Sequence, residues 1–134
     1  MKKATSILAV ILMLSVMAFS LYGCNVSTQV AVGLYKSQAS NSCTLKYKGF
    51  RGEEEFNLVC TAETGQIEYR AKVESGSANI YVIQDGSRVK IDDITPSKGV
   101  VSNIITVKEG NFTILITSND LSRNGEFVFN YVRQ

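Results

Sequence analysis

The side chains with chemistry to offer are three cysteines, Cys24, Cys43 and Cys60, the carboxylate runs Asp92-Asp93 and Glu53-Glu54-Glu55, and the tyrosines Tyr69, Tyr81 and Tyr131. Histidine is absent from all 134 residues. That removes the usual triad base, the commonest metal ligand and the ordinary switch near neutral pH. A Ser with Lys, or a pair of carboxylates, is what remains for catalysis. Adjacent residues on a strand point to opposite faces, so Asp92 and Asp93 do not converge, and solvation of a strand end accounts for them. For calcium the available oxygens are Asp92, Asp93 and Asp120, with no DxDxDG-like loop to gather them. Glycines are scattered at turns instead of forming a phosphate cradle. The expectation is a non-enzymatic protein with no catalytic residues, resident metal or cofactor.

The three cysteines have different settings. Lys2 and Lys3 precede an apolar run from Ile7 through Leu21 that is broken only by Ser15 and Ser20. This core is shorter than the roughly 20 apolar residues of a spanning helix, which favours a cleaved leader. It ends in Leu21-Tyr22-Gly23-Cys24, which resembles the lipobox of bacterial lipoproteins: an aliphatic residue, a variable one, a small one, then Cys. Leu21, Gly23 and Cys24 match that pattern, and Tyr22 is bulkier than its usual occupant. The resemblance implies that residues 1–23 are a signal peptide and that the Cys24 thiol takes the lipid. The protein would then be anchored in the cell membrane on its extracytoplasmic side. Two or three acyl chains suffice for stable anchoring.

Residues 24–134 are enough for one small domain. The formal charge of +2 resides in Lys2 and Lys3, so the mature chain is balanced and carries no electrostatic footprint for nucleic acid. Opposite signs are interspersed, as in Glu68, Arg70, Lys72 and Glu74, the pattern of a solvated face. From Asn25 to Ser42 the chain is polar with scattered Val and no steady period, which reads as a tether over residues 24–42. Val30, Val32, Leu34 and Tyr35 would alternatively add an edge strand.

Residues 43–134 alternate apolar and polar positions in runs bounded by Gly, Asn, Asp and Ser. This predicts an all-β, antiparallel jelly-roll-like β-sandwich of about eight strands. The single proline, Pro96, falls in a crossing where it disturbs no ladder. A two-residue turn at Arg51-Gly52 would set Tyr47 against Phe56, Leu45 against Leu58 and Cys43 against Cys60. The cysteines would then fall in a non-hydrogen-bonded pair with Cα atoms about 4.5 Å apart, bridgeable by a disulfide. A three-residue turn would leave them diagonal, and two buried thiols would serve as small apolar residues. An even pair in a secreted chain makes the disulfide the default expectation. Asp85-Gly86 is a type I′ signal that sets Val82 against Val89, Tyr81 against Lys90 and Ile80 against Ile91.

Among the aromatics, Tyr69, Tyr81 and Tyr131 are either the rim of the core or, if exposed in a row, a sugar-stacking platform. The absence of Trp weighs against the platform. Glu109-Gly110-Asn111-Phe112 with its alternating strand, then Gly125-Glu126-Phe127-Val128-Phe129, resembles the closing hairpin of small extracellular β-sandwiches. Pre-peptidase C-terminal-like and carbohydrate-module-like jelly rolls are examples. That resemblance implies an accessory domain. The expected function is a lipid-anchored binding or envelope-scaffolding module with an extracellular protein or glycan as partner. Alternatives are a carbohydrate-binding or calcium-dependent module, and an inhibitor or chaperone of a secreted partner. The loops 61–65, 95–99 and 118–125 are the expected place for a site.

Overall fold

The computed structural model describes residues 29–133, so the leader and Cys24 lie outside the described residues. The elements are β1 (Val30–Val32), β2 (Tyr35–Gln38), β3 (Ser42–Lys72), β4 (Ala78–Gln84), β5 (Ser87–Ile94), a single 3-10 turn (Pro96–Lys98) and β6 (Val101–Arg133). β3 and β6 run antiparallel to each other along nearly their whole lengths. Each is far longer than an ordinary strand and is bent twice, giving three legs.

At the first bend Phe50 pairs with Ser122 and Gly52 with Ser118, so residues 119–121 stand opposite Arg51 alone. At the second, Cys60 pairs with Gly110 and Thr64 with Lys108, so residues 61–63 stand opposite Glu109 alone. Extra residues on one strand of a pair bend it and raise its twist. The excess lies on β6 at one bend and on β3 at the other, and the original register returns afterwards. Gly52 (φ 132°) and Gly110 (φ 116°) supply backbone angles closed to other residues at these corners. Ser118 Oγ lies 2.6 Å from the carbonyl oxygens of Ser77 and Asp120, which holds the first bulge in place.

Rolled in this way, the ribbon closes on itself. Leg 66–72 pairs with 101–106 on one side and with residues 126–133 on the other. One layer therefore runs β2, 42–50, 122–133, 66–72, 101–108; the other runs 52–60, 110–118, β4, β5. The result is a jelly-roll β-sandwich whose eight legs follow the eight alternating runs of the sequence. Phe129 ties the layers together, with ring centroids 6.3 Å from Phe56 in one layer and 6.1 Å from Tyr69 in its own. Two glutamines span the open sides between layers. Gln38 Nε2 donates to the Asn57 carbonyl (2.9 Å), and Gln84 both donates to the Lys108 carbonyl (2.8 Å) and accepts its N–H (3.1 Å).

Four sequence expectations change. There is no hairpin at Arg51-Gly52: the chain bends and continues, so Cys43 pairs with Phe129 and Cys60 with Gly110. Cys43 and Cys60 are accordingly two separate buried thiols, not a disulfide. Part of the expected tether is instead the alternative edge strand, because β1 and β2 lie along β3. The Asp85-Gly86 turn forms with both residues at positive φ, and Val82 meets Val89 as expected. A register shift beyond Tyr81, however, places Ile80 against Asp92 instead of Ile91.

Close approach at Gly125 is a sensitive point, since a Cβ there would collide with the Tyr47 ring. Gly125→Ala is expected to destabilise the domain by about 1–3 kcal/mol, as overpacking does. An unchanged urea midpoint would contradict this packing. In the reduced-state structure both cysteines should alkylate after denaturation without reductant; two unlabelled residues would mean a bridge.

Candidate ligand-binding face

The three tyrosines do not form an exposed row. Tyr69 is 1% exposed, and its hydroxyl donates to Asp92 Oδ2 at 2.8 Å. Burial, then the Asp92 hydrogen bond and charge, push its phenol well above the usual range. Lys98 completes the group, with Nζ donating to the Asp93 carbonyl (2.7 Å) and lying 3.4 Å from Asp92 Oδ1. This cluster pins the 3-10 turn to the end of β5. Tyr81 is half-buried beneath the Arg88 guanidinium, 4.2 Å above its ring centroid. Tyr131 is also half-buried; its hydroxyl reaches the Val59 carbonyl at 3.3 Å and its ring meets Phe112 edge-on.

Nor do the three loops converge. Residues 118–122 form the first bend and 61–65 the second, with a leg of about 26 Å between them at the usual rise per strand residue. Residues 95–99 follow β5 at the first-bend end. Among the described residues no group of three or more Cys, Asp or Glu is placed to hold a metal ion. Asp120 turns instead to Ser77, accepting its backbone N–H at 3.2 Å.

A different surface draws polar groups together. The first layer is five strands wide, about 20 Å across at ordinary strand spacing, and its outer face is built from cross-strand rows. One row joins Lys46, Glu126 and Lys72; the next joins Thr44, Val128, Arg70 and Ser102; a third joins Asn130, Glu68 and Ile104. Between them lies an open depression of about 170 Å³ bordered by Arg70, Lys72, Glu126, Val128 and Asn130, with Val100 at its edge. Lys46 Nζ stands 3.8 Å from Glu126, leaving the carboxylate 41% exposed. The face thus offers a guanidinium, ammonium groups, carboxylates and an amide with little net charge. The alternating signs of Glu68, Arg70, Lys72 and Glu74 marked these as solvent-facing; what the sequence lacked was that β6 would lay Glu126, Val128 and Asn130 beside them.

Among known proteins, no family model and no curated protein matches this chain. Solved structures with some likeness include a family 61 carbohydrate-binding module in complex with β-1,4-galactotriose, at 15% identity over 81% of this chain and 90% of that one, TM-score 0.46. A family 29 module complexed with mannohexaose gives 18% identity over 77% of each chain, TM-score 0.40. A family 4 carbohydrate-binding module gives 10% identity over 75% of this chain and 79% of that one, TM-score 0.38. Overlaps of this size assign no ligand to this chain.

Burial also sets a pH response. It raises the Cys43 thiol to about 11, against a smaller opposing effect of Lys36. Tyr131 is pushed up to about 12, by burial first and then by Cys43 and Cys60. Both groups stay protonated in the fold while their unfolded counterparts ionise, from about pH 9 for the thiol. Stability from these groups is therefore complete below about pH 9 and falls as pH rises through about 11. With no histidine, urea midpoints should be nearly level between about pH 6 and 8 and then decline in the alkaline range. A transition near pH 6.5 would contradict this, as the chain has no histidine to produce one.

Proposed function

We propose that the protein is a non-enzymatic binding module, tethered outside the cell by lipid on Cys24, whose first-layer outer face takes a neutral glycan chain. The observation that carries this reading is the open polar depression among Arg70, Lys72, Glu126 and Asn130. Its donors and acceptors sit on successive rungs of paired strands, so their spacing is fixed before any ligand arrives. Carboxylates accept from sugar hydroxyls, guanidinium and ammonium groups donate to them, and an amide does both. Interleaved signs give such a surface little long-range field, which suits an uncharged polyhydroxyl ligand better than a polyanion. The depression lies across two paired strands, 66–72 and 122–133, where an extended chain would meet its donors and acceptors in turn.

Affinity electrophoresis of the purified protein through gels containing neutral or acidic polysaccharides tests this. Retardation by a neutral polymer is expected, with Arg70→Ala and Glu126→Ala each weakening it about three- to tenfold, the weight of one or two net hydrogen bonds. Thermal midpoints should hold nearly constant, and Lys90→Ala, on β5 in the other layer, should bind normally. Migration unaffected by every neutral polymer would sink the proposal, as would equal loss in the Lys90 variant.

A further inference from the structure

β1 and β2 share one register against β3, with Val30 opposite Arg51 and Tyr35 opposite Lys46, and so form a single edge strand interrupted at Gly33 and Leu34. This edge is unusually apolar for its exposure. Val32 is 55% exposed, Leu34 37% and Tyr35 58%. Leu121, 38% exposed, comes from the first bend of β6 to the same place: its Cδ1 and the Val32 Cβ both lie within 3.8 Å of where a Cβ on Gly49 would sit. The aliphatic stem of Lys48 lies against Gly33 at the border of this patch. Solitary exposed apolar residues need no explanation, but Val32 and Leu121 meet here from two distant segments, with Leu34 and Tyr35 following on the same edge strand and Tyr35 opposite Lys46.

The length of chain leading to the patch says what covers it. The described residues begin at Gln29, whose side chain bonds the Glu53 carbonyl at 3.2 Å. Only five peptide steps separate Cys24 from Gln29, which span at most ~18 Å, and Val32 lies within ~28 Å of the lipidated residue. With lipid on Cys24, a connection of this length would keep the domain close to the bilayer.

We infer that Val32, Leu34, Tyr35 and Leu121 seat the domain on the membrane surface, entering the headgroup region beside the lipid on Cys24. This rests on the lipid-anchored reading. Tyrosine suits such a position, with its ring among acyl chains and its hydroxyl in the interface. Lys48 can place its stem along the apolar rim and its ammonium toward water and phosphate. Seating by this edge turns the first-layer outer face sideways to the membrane, open to a passing polymer.

The chain contains no Trp, so one introduced indole reports its own surroundings. Full-length lipidated protein carrying Tyr35→Trp, and separately Leu34→Trp, would be reconstituted into phosphatidylcholine vesicles with or without brominated acyl chains. The mass of the N-terminal peptide would be read on the same samples. The expected result is a lipid-modified peptide, blue-shifted emission and quenching by bromine for both reporters, and no quenching for Val89→Trp on the opposite edge. Lipid present with unquenched reporters would overturn the seating while leaving the anchor intact. An unmodified Cys24 would overturn the anchor and the seating with it, because four side chains are too few to hold the domain alone.

Discussion

The fold depends on the pairing of β3 with β6 and on its return to register after each bend. A straight ribbon of this length would leave one apolar face open to water. By inserting three residues against one at two corners, first on β6 and then on β3, the ribbon turns that face inward both times. Leg 66–72 then finds residues 126–133, and the roll closes. Because the two insertions lie on opposite strands, each cancels the register displacement of the other. Pairing resumes with the apolar residues of both strands still facing the core.

Closure supplies the rigidity that a binding face needs. Phe129 packs on Phe56 across the core and on Tyr69 within its layer, while Tyr47 lies against Phe50 and Phe127. These inward residues alternate with outward Lys46, Glu126, Val128 and Arg70, so each rung that fixes a core contact also fixes a polar group on the other face. The tight Gly125–Tyr47 approach, with the Tyr47 hydroxyl 2.7 Å from Ser122 Oγ, lets the aromatic core run right up to the first bend. Gln38 and Gln84 supply side-chain rungs where the layers' backbones no longer meet.

Alternation made the class and the eight legs legible, because burial of every second residue is a local property. Connectivity was another matter. Cys43, Leu45 and Tyr47 followed by Phe56, Leu58 and Cys60 fit a hairpin, in which the two runs face each other, as well as a bent strand, in which they serve different layers. The burial phase changes at Gly49 and Phe50, both buried, and that doublet was the one local sign of a bend. The Asp85-Gly86 turn was readable because its chemistry is contained in two residues. The exposure of the tyrosines was not legible for the opposite reason: an aromatic ring on a strand says nothing about where in the core or at its rim it falls, and Tyr69 found its partner Asp92 from 23 residues away. The candidate face was half legible, through Arg70 and Lys72, since its other half comes from a leg that closure alone brings alongside.

The proposed anchoring and the proposed ligand binding would make competing demands on so small a domain, and the arrangement of edges would reconcile them. A long flexible tether would leave the orientation free and any site equally accessible. With ordered pairing from Val30 onward, the proposed attachment would instead act through a few residues close to one edge. The outer face of the first layer would be obstructed if that layer lay flat on the bilayer. Exposed apolar side chains gather at the rim formed by the edge strand and the first bend, while the centre of the face carries Arg70, Lys72, Glu126 and Asn130, groups costly to remove from water. The proposed contact by the rim would therefore bury what is apolar and leave the polar face in water, standing up from the membrane where an extended chain would cross it.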